Sequence, residues 1–113
     1  MIIAIDFDGT IVENIYPSIG KPMEGSIEAI NNLYNDGHYI IIYTCRGGSE
    51  LNDVYTWCDV IGLRYHKINE NAPHSMIGFA PFPKLYADVY IDDRNLGGLP
   101  SWGDIYKMIS YKI

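Results

Sequence analysis

Three nearly continuous apolar runs, Ile2-Ile3-Ala4-Ile5, Tyr39-Ile40-Ile41-Ile42-Tyr43 and Ala87-Asp88-Val89-Tyr90-Ile91, restrict the folds open to this chain. A strand with one wet face alternates apolar and polar residues, whereas these runs are apolar on both sides, as parallel strands covered on both faces are. A weaker run from Arg64 to Ile68 offers a fourth strand. Helical spacing fills the intervals. Ile27, Ile30, Leu33 and Tyr34 share one face, with Gly37 placed as a C-terminal cap. Leu51, Val54, Tyr55, Cys58 and Ile61 repeat the spacing before Gly62, with Ser49 as the N-cap. Ser101, with Asp104 three residues on, resembles a capping box ahead of Ile105, Met108 and Ile109. This alternation predicts an α/β fold: a doubly wound, Rossmann-like parallel sheet of about four strands, with right-handed crossovers and helices on both faces.

A chain of 113 residues suffices for one hydrophobic core, so a single domain over residues 1–113 is expected. Its hydrophobic share of 48% and charged share of 19% are those of a globular protein. No stretch approaches the roughly 20 apolar residues of a membrane span, and Asp6 interrupts the apolar N-terminus too early for a signal peptide. The expectation is a cytoplasmic protein with no membrane partner. Cys45 and Cys58 are too far apart for a CxxC motif and fall in segments that read as regular and buried, so both read as structural thiols. The formal charge of −6 argues against a broad nucleic-acid surface but leaves room for a small cationic pocket holding one phosphate group.

Two segments break the rhythm. Residues 11–22, with Pro17, Gly20 and Pro22, read as a loop or short hairpin beside the end of the first strand. Residues 69–83, with Pro73, Gly78, Pro81 and Pro83, are long for a connection in a compact domain and suggest a functional or partner-facing role. Neither holds a separate domain. Either segment, or a second subunit in a homo-oligomer, could supply a partial lid.

Open α/β sheets bind ligands at the carboxyl ends of their strands. Here the first strand runs into Asp6-Phe7-Asp8-Gly9-Thr10, the second into Thr44-Cys45-Arg46-Gly47-Gly48, and the last into Asp92-Asp93-Arg94-Asn95, with Lys84 just ahead of that last strand. Four carboxylates would meet at one edge, and two unit charges ~4 Å apart repel by ~4 kcal/mol at an effective dielectric of ~20. Such a cluster calls for a cation, and oxygen ligands without a Cys or His pattern favour Mg²⁺. A DxD by itself is often only a solvated loop; a DD after a second apolar strand makes two loops gather costly charge.

DxDGT after an apolar strand, a strand-terminal Thr, a Lys, and an apolar strand ending in DD resemble, in order, the four motifs of the haloacid dehalogenase-like (HAD) superfamily. The resemblance covers residues 6 to 93 and implies a small capless member, a phosphomonoesterase. It implies that Asp6 attacks phosphorus to form an aspartyl-phosphate while also binding Mg²⁺. It makes Asp8 the general acid and base, with its backbone carbonyl on the metal. Thr44 would bond a phosphoryl oxygen, Lys84 would balance the charge of Asp6 and phosphate, Asp92 would ligate Mg²⁺, and Asp93 would act directly or through a water. The substrate would be a phosphorylated small molecule or macromolecule.

Other residues stay open at this stage. Lys67 rivals Lys84; Arg46 and Arg94 either contact substrate phosphate or pair with neighbouring carboxylates. His38, His66 and His74 show no ligand spacing, and Trp57 and Trp102 read as core. Two other functions compete: a receiver-like phosphoacceptor module, in which the acidic pair would come first and the acceptor Asp mid-chain, and an inactive HAD-like interaction module, which has no need to keep repelling charges together.

Overall fold

The computed structural model describes residues 1–78 and 84–111. Its centre is a four-stranded, all-parallel sheet. Strand β1 (Ile2–Asp6) pairs with β2 (Tyr39–Tyr43) on one side and β4 (Val89–Ile91) on the other, and β3 (Lys67–Ile68) lies outside β2. Ile2 to Ile5 are all buried, which accounts for the absence of alternation in that run. Burying each such side chain contributes roughly 1.5–3 kcal/mol.

The two faces are covered unequally. Ile3, Ile5, Ile40, Ile42 and Ile91 pack with buried residues from three helices. These are α1 (Ser26–Asn35), α2 (Gly48–Ile61) and α4 (Trp102–Ser110). Ile2, Ala4 and Ile41 face the other way, against Ala72, Ala87 and half-buried tyrosines. The four-residue α3 (His74–Ile77) lies in this second connection and adds Ile77 to its packing. The handedness rule explains the division. Steps from β1 to β2 and from β2 to β3 run the same way across the sheet and use one face, so the return from β3 to β4 must use the other.

Side chains shorten two strands relative to the sequence expectation. β3 begins only at Lys67 because the His66 ring Nδ1 accepts the Ile40 N–H (3.0 Å), the bond a backbone carbonyl would otherwise take. β4 begins at Val89 because the Asp88 carboxylate takes the Ile2 N–H (2.7 Å). Ser49 is not the N-cap of α2: the helix starts at Gly48, Gly47 occupies the cap, and the Ser49 hydroxyl donates to Glu50. Ser101 does cap α4, accepting the Asp104 N–H. Cys58 is buried in α2, but Cys45 is exposed in the loop after β2 and is no core thiol.

Residues 11–22 form a closed excursion. Glu13 N–H donates to the Lys21 carbonyl (2.8 Å), Val12 bridges Pro22, and the Gly20 Cα sits so close to the Glu13 carbonyl that a Cβ there would lie 2.2 Å from its oxygen. Of the 69–83 segment, residues 79–83, including Pro81 and Pro83, lie outside the described residues. Among the described residues no helix is long and apolar enough to cross a membrane.

Candidate functional site

Sheet register brings the acidic residues together. Ile5 pairs with Ile91, so the following residues, Asp6 and Asp92, leave the sheet side by side, with Asp93 next. Asp6, Asp92 and Asp93 each present a carboxylate oxygen within 4.8 Å of the others. After Phe7 the chain turns sharply: the Phe7 carbonyl accepts the N–H groups of Thr10, Ile11 and Val12. That turn buries Thr10 completely and aims its hydroxyl at Asp6 Oδ2 (3.0 Å) and Asp93 Oδ1 (3.2 Å), while its oxygen accepts the Asp93 N–H (3.0 Å). A hydroxyl has one proton, so Thr10 serves one carboxylate at a time. The Trp102 indole N–H donates to the Thr10 carbonyl (3.0 Å), tying α4 to the turn. Neither Thr10 nor Trp102 was expected at the site, although Thr10 is the last letter of DxDGT.

Gly9 makes this approach feasible. Its φ is +88°, and a Cβ at that position would lie 2.6 Å from Asp93 Oδ2. Gly9→Ala is therefore expected to destabilise the fold by roughly 1–2 kcal/mol through left-handed strain, and to push the Asp93 carboxylate out of the cluster. Urea denaturation checks the first effect; a change within a few tenths of a kcal/mol would show that the turn tolerates a side chain.

Crowded negative charge divides the carboxylates. Burial, reinforced by the charge of Asp92, raises the Asp6 pKa to about 7. Burial also pushes Asp92 upward, but the Arg94 backbone N–H (2.9 Å) and the Tyr43 hydroxyl (2.7 Å) stabilise its charged form, and the balance lies below the usual carboxylate value. Burial and the bond to Asp92 raise the Tyr43 pKa. Burial and neighbouring negative charge thus disfavour the ionised form of Asp6. The all-oxygen donor set of Asp6, Asp92 and Asp93 is what a hard divalent ion would meet.

The fourth carboxylate lies apart from these three. Asp8 faces the Arg46 guanidinium in a fork, Nε to Oδ2 at 2.7 Å and Nη2 to Oδ1 at 2.8 Å. Of the two alternatives open for Arg46, the structure favours the carboxylate pair: the side chain is buried, and bonding raises its pKa further. Thr44 lies at the end of β2, clipped by Asn69, whose amide accepts the Thr44 N–H (2.8 Å) and donates to the Thr44 carbonyl (3.0 Å). Asn69 adopts φ +58°, a left-handed conformation that Asn tolerates. A cleft of about 420 Å³ opens over this edge, lined by Asp6, Asp8, Tyr43, Thr44, Arg46 and Asp92, with Asn14 and Tyr16 from the 11–22 segment and Arg94 at its margin. Lys84 is not part of that lining; its ammonium lies 4.8 Å from the centre of the Tyr90 ring on β4. Lys67, its rival, is exposed on β3 and also absent from the lining.

No protein-family model matches this chain, and no curated protein matches it. A solved structure of a conserved protein coded by a locus of Bacteroides thetaiotaomicron is similar to it, with a TM-score of 0.88 at 43% sequence identity over 100% of this chain and 92% of that one. The chain belongs to the family of that conserved protein. The match at this identity runs through every strand and helix described above, so the parallel Rossmann-like architecture belongs to that family too.

Proposed function

We propose that this protein is a magnesium-dependent phosphomonoesterase that works through an aspartyl-phosphate on Asp6, as its resemblance to the HAD superfamily implies. The observation that carries the proposal is the meeting of Asp6, Asp92 and Asp93 oxygens within 4.8 Å, two of them, Asp6 and Asp92, lining a cleft with Thr44 and Asp8. Three carboxylates with no histidine or thiol among them fit Mg²⁺ as a donor set. When bound, the ion supplies positive charge that keeps Asp6 ionised and draws in a phosphoryl group.

The chain's own residues account for the remaining chemistry. An Asp6 oxygen attacks phosphorus; the ester P–O bond breaks, and the departing oxygen takes a proton from Asp8, which in the reacting form carries it on an oxygen lone pair left open by the Arg46 fork. Asp8 then removes a proton from water, the water oxygen attacks phosphorus, and the Asp6–phosphorus linkage opens to release inorganic phosphate. Both residues return to their starting forms. The fork from Arg46 uses one lone pair on each Asp8 oxygen and leaves the others for the travelling proton. The Thr44 hydroxyl oxygen accepts the Arg46 N–H (3.1 Å), which leaves its proton free for a phosphoryl oxygen. Lys84 lies over the Tyr90 ring and is not among the residues lining the cleft, whereas Arg94 is, so Arg94 is a cation available there to neutralise the phosphate.

The test is phosphate release from a panel of phosphomonoesters, with Mg²⁺ and with EDTA. Turnover only with Mg²⁺ is expected; no turnover of any ester would return the inactive interaction module, and a phosphorylated protein that persists without turnover would return the phosphoacceptor alternative. Mg²⁺ at about 100 times its Kd should also stabilise the fold by about 2.7 kcal/mol. Asp92→Asn should lose most of that gain in a thermal melt; an undiminished gain would place the ion elsewhere.

A further inference from the structure

We infer that Arg46 is a positioning residue that clamps the 11–22 segment onto Asp8, so that the cleft wall and the carboxylate handling the leaving-group proton are held as one piece. The catalytic half of this inference rests on the phosphohydrolase reading; the clamp itself does not.

Arg46 has five N–H donors, and four make hydrogen bonds. Two form the fork with Asp8, and the other two reach the carbonyls of Pro17 (2.9 Å) and Ser18 (2.9 Å). Among the described residues these last two are the hydrogen bonds that tie residues 14–19 to the rest of the fold, since the pairing of Glu13 with Lys21 closes only the base of the excursion. The guanidinium also has aromatic neighbours, its carbon lying 5.0 Å from the Tyr16 ring centre and 5.7 Å from that of Phe7. Arg46 is only 4% exposed. A free substrate-binding arginine would keep its fork open to the cleft, but this fork is closed on Asp8. Lysine, with a point charge and no planar fork, cannot reproduce the set.

The consequence concerns the leaving group. Asn14 and Tyr16 line the side of the cleft formed by this segment, and Asp8 is the proposed proton donor to the departing oxygen. Joined through Arg46, the segment cannot shift without turning Asp8. Esters differ in how much they need that proton: p-nitrophenolate departs without one, whereas an alkoxide requires it.

The experiment has two arms, on Arg46→Gln, Arg46→Lys and Gly20→Ala. The first needs no substrate: backbone order parameters from NMR relaxation are expected to fall from the rigid range near about 0.85 to below about 0.6 over residues 14–20 in Arg46→Gln, while those of β1 and β2 hold. The second compares kcat/KM for an alkyl phosphate and p-nitrophenyl phosphate with Mg²⁺. The alkyl-to-aryl ratio is expected to fall at least about tenfold in Arg46→Gln, with Arg46→Lys in between. Gly20→Ala disturbs the same segment from its far end, where the new Cβ meets the Glu13 carbonyl, and should lower the ratio in the same direction even if Arg46→Gln fails to fold. Unchanged order parameters at residues 14–20 in a folded Arg46→Gln or Arg46→Lys protein overturn the clamp. Lower order parameters with an equal fall for both esters overturn the positioning role and leave a structural staple. Wild-type protein that hydrolyses neither ester refutes the phosphohydrolase reading, and the order-parameter arm still decides the clamp.

Discussion

Asp6→Asn is expected to give a folded protein whose phosphate release falls by at least about 10⁴-fold, because an amide neither attacks phosphorus nor regenerates from the adduct. Its stability should shift in a pH-dependent way that a mere surface change would not produce. In EDTA the wild-type Asp6 carboxyl has a folded pKa of about 7 against an ordinary value of 3.8. A group raised in the folded state contributes stability that is fully present below the lower value and lost as pH rises through the higher one. Asparagine does not titrate. The variant should therefore gain on the wild type between about pH 4 and pH 7 and hold a constant difference above that. At 1.36 kcal/mol per pH unit the full linkage is about 4 kcal/mol, but Asp6 is only half-buried, and solvent screening reduces the expected gain to roughly 1–2 kcal/mol. Comparing the two proteins at each pH cancels the opposing contributions of His38 and His66, whose pKa values are lowered by burial. Melts across that range, paired with initial rates, check both parts; full activity in the variant would remove Asp6 as the nucleophile.

Phe7→Ala is expected to cost about 3–5 kcal/mol, a large part of the 5–15 kcal/mol by which a domain of this size is usually stable. Phe7 is fully buried between the two aspartates of the DxD, with its ring edge-on to Trp57 at 5.4 Å and the Arg46 guanidinium nearby. Its carbonyl organises the turn that separates Asp6 from Asp8. Removing the ring should leave a cavity under that turn, so turnover should fall even where the variant remains folded. Urea denaturation with an unchanged m-value measures the first effect. A loss under about 1 kcal/mol would show that the ring is not what holds the turn in place.

The central strands were legible because burial on both faces leaves a direct trace: Ile2 to Ile5 and Ile40 to Ile42 are apolar without interruption, and β1 and β2 form there. The outer strands were less so. Their ends depend on His66 and Asp88 inserting side-chain acceptors into the ladder, and nothing in a window of residues announces that a ring or a carboxylate will displace a carbonyl. Ser49 had the residue type of a cap but not the position, because Gly47 and Gly48 turn the chain into α2 one residue earlier. Cys45 looked buried from its neighbours, yet it sits just past the strand end, in a loop.

At the candidate site, the strand-end rule located Asp6, Asp92 and Asp93, since parallel pairing with Ile5 opposite Ile91 places the next residues abreast. The same rule expected Asp8 in that cluster and could not foresee its partner. Asp8 and Arg46 are separated by 38 residues, and a fork between them requires the end of β2 to lie against the turn after β1 at one particular angle. Tyr43 on Asp92 and Asn69 on Thr44 likewise join residues from separate elements.

Sequence alone determined the parallel α/β class and the three acidic residues at one edge, because strand periodicity and strand ends are local properties that a one-dimensional pattern records. Tertiary structure alone decided which carboxyl is pushed up by burial, which is paired with arginine and which side chains hold the cleft wall. Those outcomes depend on distances of a few ångströms and on burial, and both arise only when separate segments meet.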